Sequence, residues 1–293
     1  MKKLLMGPIP WLAPMMILIF GVVLWPVYEM IRTSLLDISS SGKERGFVGF
    51  DNYAELLENP NLVGAVTRTV VWVLIVVFFT VVISLGLAQL LNANFPGKRY
   101  VRWIIIIPWA SSVIMTATSF RWMLDGYYGL LNRVLLDLGL ITEVQDVLGN
   151  AETSFPWLIV VAIFVSLPFT TFVLLAGLQT IPNELYEAAK VDGSGPVKSY
   201  RAITFPLLFP SLSVAAVINL INVFNQFPII WVITGGGPGY ETDTTTTLMY
   251  KLAFRSQEVG QSAALSVLNF GIIMIFVFIY LRATGFIGKK KED

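Results

Sequence analysis

The sequence contains no cysteine and no histidine among its 293 residues. Without cysteine the chain cannot form a disulfide, offer a thiol nucleophile or hold an iron–sulfur cluster. Without histidine it lacks the commonest zinc ligand and the usual general base. Most hydrolytic and metal-dependent chemistry is therefore excluded for this chain alone, and we expect neither a catalytic residue nor a metal site in it.

Charge is scarce as well, because charged residues make up 13% of the chain against about 25% in a typical soluble domain. The mean hydropathy is +0.72. Apolar residues fall into six runs, each close to the roughly 20 residues that cross a bilayer. The predicted spans are residues 11–33, 69–91, 101–122, 157–178, 207–233 and 263–283. We therefore predict an all-α integral membrane protein with six transmembrane helices, forming a single domain over residues 1–293.

Basic residues are unevenly distributed between the segments that connect these spans. The two termini and the loops 92–102 and 179–206 hold twelve of the twenty basic residues but only five of the nineteen acidic ones. Because basic loops mark the cytoplasmic side of a membrane, we expect both termini and the 179–206 loop in the cytoplasm. The longer loops 34–68, 123–156 and 234–262 then face outside, either as solvated connectors or as a docking surface for an external partner.

The loop 179–206, which is predicted to be cytoplasmic, contains most of a polar stretch, ELYEAAKVDGSGPVKSYRAITFPLLFP, between two strongly apolar runs. Pro182 suits the first turn of a helix, where its missing N–H costs nothing. Gly193 is placed to end that helix in the left-handed conformation. Pro196 then starts a second short helix, and Pro206 opens the fifth span. The pattern predicts a cytoplasmic elbow over residues 182–206, made of a helix, a glycine turn and a second helix.

The elbow also carries a family motif. From Glu187 onward the order E-A-A, three residues, G, nine residues, I-x-F-P closely resembles the EAA loop of ABC-importer permeases, although Phe205 stands where the family usually has leucine. Four stretches resemble the sugar-type subfamily that includes the maltose and glycerol-3-phosphate permeases: FVGFDNYAELLENP, IIIIPWASSVIMTATSFRWMLDGYYGLLN, QTIPNELYEAAKVDG and FNQFPIIWVITGGGPGYETDTTTTLMYKLAF. The resemblance covers about residues 10–285 and implies the type I ABC importer permease fold.

The resemblance also implies a role for the elbow, as the coupling helix that docks in a groove of a cytoplasmic ATP-hydrolysing subunit. The implied docking residues are Glu187, Ala188, Ala189, Asp192 and Gly193. A second homologous permease, two ATPase subunits and an extracytoplasmic solute-binding protein complete the implied complex in the bacterial cytoplasmic (inner) membrane. ATP and Mg²⁺ are expected on the ATPase subunits, while this chain is expected to bind no cofactor and no nucleic acid.

The fifth run contains four amide side chains within SLSVAAVINLINVFNQF. Asn219, Asn222 and Gln226 have the spacing of one helix face, with Asn225 beside them. Amides are costly in lipid, so we expect this stripe to face protein or a water-lined cavity. Two interpretations remain open, namely hydrogen bonds between helices or a translocation path in which the amides bind sugar hydroxyls. Three nearby aromatic residues are candidates for stacking on a sugar or for ordinary packing: Phe224, Phe227 and Trp231.

The sequence thus predicts the transmembrane subunit of a bacterial ABC importer that carries a carbohydrate. A non-sugar solute is one alternative, and an ion-coupled secondary transporter is another. Ion coupling usually needs an ionisable group in the middle of the membrane, and the predicted spans hold almost none. A channel would need a selectivity filter or rings of charge, which the spans do not show. For the elbow, the alternative is an interfacial helix, but the segment lacks the large apolar stripe of such helices.

Overall fold

The computed structural model describes residues 9–283, with side chains over residues 11–282. These residues form two compact units, each described by itself below. The first unit comprises residues 9–62 and Leu248–Met274, and the second comprises Val63–Thr247 and residues 275–283. Both chain termini, which the charge pattern predicts to be cytoplasmic, lie outside the described residues.

The first unit begins with an apolar helix and a small hairpin. Helix α1 (Ile9–Leu18), a π-helical segment (Ile19–Leu24) and helix α2 (Trp25–Ser34) continue one another. They are followed by antiparallel strands β1 (Leu36–Ile38) and β2 (Glu44–Phe47) and by helix α3 (Asp51–Glu58). Within residues 9–283 this hairpin is the one departure from the predicted all-α fold. Buried Asn52 on α3 donates to the carbonyls of Ser34 and Leu36 at 2.9 and 3.0 Å, which joins α3 to the end of the apolar helix.

The second unit contains most of the long helices. Its elements are α4 (Leu62–Asn92), α5 (Lys98–Ala110), α6 (Val113–Met123), α7 (Leu130–Asp137), α8 (Ala151–Gln179), α9 (Asn183–Val191), α10 (Pro196–Ser199), a π-helical segment (Tyr200–Thr204), α11 (Phe205–Phe224) and α12 (Phe227–Ile233). Helices α13 (Thr245–Phe254) and α14 (Val259–Ala283) follow, and most of their residues belong to the first unit.

Five helical stretches of the described chain are long and apolar enough to cross a membrane: Trp11–Ser34, Leu62–Asn92, Ala151–Gln179, Pro196–Phe224 and Val259–Arg282. The predicted third span, residues 101–122, is not one straight helix, because α5 and α6 meet at an angle of 98°. Pro108 removes a backbone donor near the end of α5, and Ser112 adopts an extended conformation before α6. The count is therefore five spans, or six if the bent pair is one span.

The predicted fifth span, residues 207–233, is also divided differently. The helical stretch that contains it begins at Pro196, and Pro206 stands at the start of its α-helical part, α11. It ends at Phe224, after which Asn225 and Gln226 leave the helical conformation and α12 begins. Pro228 explains this ending, because a proline ring clashes with the carbonyl of the residue four positions earlier, here Phe224.

Helices α4, α8 and α11 enclose the apolar core of the second unit. Its buried members come from facing positions of these helices and include Ala88, Leu91, Leu174, Leu178, Leu208 and Ala215. Gly177 on α8 lets α11 approach closely, since a Cβ at this position would lie 2.5 Å from Oγ of Ser211. This contact positions α8 beside α11, the helix that carries the amide stripe.

The predicted loop 234–262 is more than a solvated connector. Residues 242–247, with the sequence TDTTTT, are all buried. Arg68 at the start of α4 donates to the carbonyl of Asp243 at 2.8 Å and to that of Tyr240 at 2.7 Å. The expectation of a solvated connector is wrong for this part of the loop, because an arginine and a row of threonines satisfy its polar backbone inside the protein.

Candidate functional site

The elbow has the local structure that the sequence predicts. Helix α9 covers Asn183–Val191, with Pro182 as its N-cap residue and not within the first turn. Gly193 has φ of +72°, which confirms the predicted left-handed glycine. The N–H of Ser194 donates to the carbonyl of Ala189 at 2.8 Å, and that of Gly193 donates to Lys190 at 3.0 Å. This pair of bonds is the Schellman ending, which satisfies the last free carbonyls of the helix.

One side of the short helix α9 packs against the rest of the second unit. A nine-residue helix is marginal in water by itself. The hydroxyl groups of Tyr186 and Thr204 form a 2.9 Å hydrogen bond between α9 and the segment that leads into α11. Tyr186 and Ile203 also pack against the apolar core. These contacts fix the elbow relative to the helix that carries the amide stripe.

The opposite side of the elbow is uncovered. Glu187, Ala188, Asp192 and Gly193 are exposed, and Ala189 is half-buried. Glu187 has no ion-pair partner among residues 11–282. Val191 is 88% exposed and Val197 is 68% exposed, one on each side of the glycine turn. The elbow therefore offers a surface on which a carboxylate, small residues and two uncovered valines lie together.

The amide stripe lies at a cavity of about 320 Å³ in the second unit. Asn219 and Asn222 reach it from α11, while Asn225 and Gln226 reach it from the break between α11 and α12. The structure thus brings all four predicted amides together. The predicted reason is wrong for Gln226, because this residue lies outside the helix and does not share a helical face with Asn219 and Asn222.

The remaining walls of the cavity come from residues that sequence reasoning missed. Trp109 and Val113 flank the bend between α5 and α6, Val165, Ser166 and Phe169 lie on α8, and Pro228 lies on α12. A signal was present in the stretch PWASSV, where a proline and two serines interrupt an apolar run. The three suggested aromatic residues do not line the cavity, since Phe224 is buried and Phe227 stacks on Trp231 with ring centroids 5.4 Å apart.

The four amides differ in their hydrogen bonds. Asn225 Nδ2 donates to the carbonyl of Ile221 at 2.9 Å, so one of its two N–H donors is already used within its own helix end. Asn219 is 3% exposed, and its Nδ2 has no partner among the described residues. The buried Oε1 of Gln226 likewise has no partner among them. Because a buried polar atom without a partner is costly, a polar group that reached these two atoms would relieve that cost.

Two further side chains hold the break that carries Asn225 and Gln226. The indole Nε1 of buried Trp72 on α4 donates to the carbonyl of Val223 at 3.0 Å, in the last turn of α11. Arg121 on α6 donates to the carbonyl of Val232 at 3.0 Å, in the last turn of α12. These bonds satisfy carbonyls that the helix ends leave free. Trp72 and Arg121 are therefore positioning residues for the cavity wall, and no sequence pattern indicated either of them.

Both helix breaks meet at this cavity. The bend after Ala110 contributes Trp109 and Val113, and the break after Phe224 contributes Asn225 and Gln226. Non-helical backbone at membrane depth is tolerated only where protein buries it or where it lines a water-filled cavity. Transporters commonly build their solute sites from such broken helices. The arrangement can hold a polar solute of modest size by amide hydrogen bonds between aromatic side chains.

Comparisons with known proteins show what the chain is similar to. The family model described as the binding-protein-dependent transport system inner membrane component matches residues 80–290. A probable ABC transporter permease protein of Brucella suis is 42% identical over 269 residues, covering 92% of this chain and 93% of that protein. The sulfoquinovosyl glycerol transport system permease protein SmoG of Agrobacterium fabrum is 34% identical, and the match covers 92% of this chain and 88% of that protein. The trehalose/maltose transport system permease protein MalF of Thermococcus litoralis is 32% identical, and the match covers 96% of this chain and 92% of that protein.

A solved structure gives the same result at the level of the fold. The bacterial alginate ABC transporter, in complex with an alginate pentasaccharide-bound periplasmic protein, contains a chain that is 22% identical. The TM-score is 0.82, and the match covers 96% of this chain and 94% of that one. At this identity the likeness shows the fold alone, which is that of a type I ABC importer permease.

Proposed function

The chain belongs to the family of binding-protein-dependent transport system inner membrane components, and on this premise we propose that it forms part of a carbohydrate path through the bacterial inner membrane. In this proposal its complex contains a second homologous permease, two ATPase subunits and an extracytoplasmic solute-binding protein. The names of SmoG and MalF support a carbohydrate as the solute. The periplasmic protein in the alginate transporter complex supports delivery by a binding protein.

The observation that carries the proposal is the cavity at the two helix breaks. Its four amide side chains offer donors and acceptors of the kind that bind sugar hydroxyls. Trp109 and Phe169 supply apolar faces on the same cavity, and aromatic rings pack well against the C–H faces of a sugar. Such a site binds a solute weakly enough to release it, because each amide–hydroxyl bond contributes only about 1 kcal/mol net.

The elbow supplies the link to ATP hydrolysis. We assign Glu187, Ala188, Ala189, Asp192 and Gly193 to a surface that docks in an ATPase subunit. Support comes from the exposure of this surface and from its rigid attachment, through Tyr186 and Thr204, to the helix that carries Asn219 and Asn222. Movement of the ATPase subunits would then move the cavity wall together with the elbow. The chain itself contributes no catalytic group in this proposal, since ATP and Mg²⁺ bind the ATPase subunits.

The proposed topology has six crossings, with the bent pair α5–α6 counted as one, and both termini in the cytoplasm. The absence of native cysteine allows a direct test. Ser194→Cys, at the elbow, should be shielded from a membrane-impermeant thiol reagent in intact cells and labelled after permeabilisation. Asn150→Cys, before α8, should be labelled in intact cells. Labelling of Ser194→Cys in intact cells would overturn both the orientation and the ATPase-docking role of the elbow.

The energy source separates the proposed function from its main rival. Right-side-out or reconstituted vesicles that contain the complete complex should accumulate sugar only with ATP inside and with the solute-binding protein outside. An ionophore that collapses the ion gradients should leave this uptake unchanged. Uptake that persists without ATP and stops with the ionophore would indicate an ion-coupled secondary transporter instead. A screen of the solute-binding protein for bound compounds tests the other alternative, a non-sugar solute.

Two amide variants test the path itself. Asn222→Leu and Gln226→Leu keep a side chain of similar size but remove its hydrogen bonds. We expect uptake to fall in both variants while assembly with the ATPase subunits and basal ATP hydrolysis persist. Asn94→Leu, an exposed amide between α4 and α5 and outside the cavity lining, is the matched control and should transport like the native complex. Normal uptake by both cavity variants would show that these amides do not line the path.

A further inference from the structure

The chemistry of the cavity carries information about the charge of the solute. Its described lining contains four amides, one serine, two aromatic residues, two valines and a proline, and none of these side chains is ionisable. The names of the relatives leave the charge open, because SmoG is named for a sulfonated sugar derivative and MalF for the neutral sugars trehalose and maltose. The charge of the solute must therefore be inferred from the side chains that line the cavity.

The two unpartnered atoms at the cavity are complementary in kind. Asn219 Nδ2 is a donor, Gln226 Oε1 is an acceptor, and neither has a partner among the described residues. A hydroxyl group donates one hydrogen bond and accepts others, so sugar hydroxyls can satisfy both atoms. An ionised carboxylate, sulfonate or phosphate only accepts. It would bond with Asn219 but would leave Gln226 Oε1 facing a negative charge.

Burial strengthens this preference. Asn219 is 3% exposed, so a group that bonds with it gives up most of its water. Transfer of an ionised group out of water is far more costly than transfer of a hydroxyl, unless a cation compensates it. The part of the lining that the structure describes contains no lysine or arginine.

We propose that this cavity selects a neutral, hydroxyl-bearing sugar unit and discriminates against sugars that carry a carboxylate, sulfonate or phosphate. The inference rests on the proposed function, since it assumes that the cavity lies on the sugar path. The volume of about 320 Å³ is at the small end of the roughly 300–1,000 Å³ of typical ligand pockets. It suits a small sugar or one end of an oligosaccharide.

The test uses the complete complex of permeases and ATPase subunits in lipid nanodiscs, without the solute-binding protein, so that only the membrane site selects. Saturation-transfer-difference NMR measures binding of three matched pairs: glucose with glucuronate, galactose with galacturonate, and mannose with mannuronate. Members of each pair differ only in a hydroxymethyl or carboxylate group at C6. Maltose and cellobiose extend the neutral set, and digalacturonate extends the acidic set. We expect at least one neutral sugar to bind, and its acidic counterpart to bind at least about tenfold more weakly.

Variants assign the signal to the cavity and separate the possible failures. Asn219→Leu should remove the neutral-sugar signal, whereas Asn94→Leu should keep it. Gln226→Lys, which adds a cation at the acceptor position, should increase binding of the acidic sugars relative to the neutral ones. Should an Asn219-dependent signal be as strong for the acidic sugars as for the neutral ones, the charge preference is overturned while the sugar path stands. Absence of any signal that Asn219→Leu removes would overturn the sugar path, and the charge preference with it.

Discussion

The elbow and the amide-lined cavity belong to the same compact unit but are built in opposite ways. The elbow consists of consecutive residues, and its shape follows from local rules, such as Pro182 at the N-cap and Gly193 at a positive φ. The cavity gathers side chains that lie more than one hundred positions apart, from Trp109 to Pro228. In the proposed function, one region exposes its residues for a partner protein, and the other partly buries them around a solute. The comparison suggests that the elbow is sensitive to changes of surface and turn, whereas the cavity is sensitive to changes of hydrogen bonding.

The largest expected effect is a charge reversal on the elbow. Glu187 is expected to pair with a basic group of the ATPase subunit. Glu187→Lys should therefore lower uptake about 100-fold, equivalent to about 3 kcal/mol, because it places two positive charges together in the docked complex. Insertion of the subunit should be unchanged, since Glu187 is exposed. Glu184→Lys, an exposed carboxylate one turn earlier on α9, is the control and should change uptake less than about threefold. Uptake assays with quantitative blots of the membrane fraction measure both. Equal effects of the two variants would contradict a specific role for Glu187.

The glycine turn provides the next test. A Cβ at Gly193 would meet no atom within 4 Å, so a substitution there acts through the backbone conformation and not through packing inside the chain. Gly193→Val should lower uptake about tenfold, because a β-branched residue is strained at positive φ by roughly 1–2 kcal/mol or more. Gly193→Asn keeps the left-handed turn accessible and should transport within about threefold of the native complex. A comparable loss in both variants would show that the docking partner needs the bare glycine surface as well as the turn.

Within the cavity, the two asparagines with different hydrogen bonding should respond differently. Asn219→Leu should lower uptake about tenfold, because in the proposed path its unpartnered donor bonds with the solute. Asn225→Leu should lower uptake only about twofold to threefold, since one of its two N–H donors is already bonded to Ile221. Uptake kinetics in vesicles, normalised to the amount of assembled complex, give the two values. The reverse order would mean that the spare donor of Asn219 does not reach the solute.

The smallest expected effect concerns the residue that holds the helix break. Trp72→Phe keeps most of the apolar contact but removes the bond to the carbonyl of Val223. The loss of about 1 kcal/mol should reduce uptake by no more than about fivefold, with an increase in the sugar concentration for half-maximal rate. ATP hydrolysis and binding of the ATPase subunits should stay unchanged, because the elbow does not contact this bond. An effect on ATPase binding instead would mean that Trp72 supports the whole subunit and not the cavity wall.

Sequence reasoning went furthest where the determining residues are neighbours in the chain. The apolar runs predicted the membrane spans, although α4, α8 and α14 extend beyond the predicted limits. The elbow turn was correct because a Pro and a Gly act on their own backbone. The four amides were also found, because their chemistry is unusual in an apolar run. The role of each of these residues in docking or transport stays a prediction that the experiments above can test.

Other features could not be read from the chain in this way. Helical periodicity assigned Gln226 to the face of Asn219 and Asn222, but Pro228 ends the helix before that residue. Burial of residues 242–247 was missed, because a run of threonines resembles a solvated loop until Arg68 binds its carbonyls. Trp72 and Arg121 were missed because each acts on a carbonyl more than one hundred residues away.

The sequence by itself determined that this protein crosses the membrane by apolar helices, that it has no thiol or imidazole chemistry, and that it carries an elbow made of a helix, a glycine turn and a second helix. These properties depend on composition, run length and local backbone preference, which act over a few consecutive residues. Only the tertiary structure decided that the amides face a cavity, that the two helix breaks meet there, and that one donor and one acceptor remain without partners among the described residues. Those properties depend on which carbonyls and side chains come into contact when α4, α6, α8 and α11 pack together. Local backbone preferences do not specify such long-range contacts.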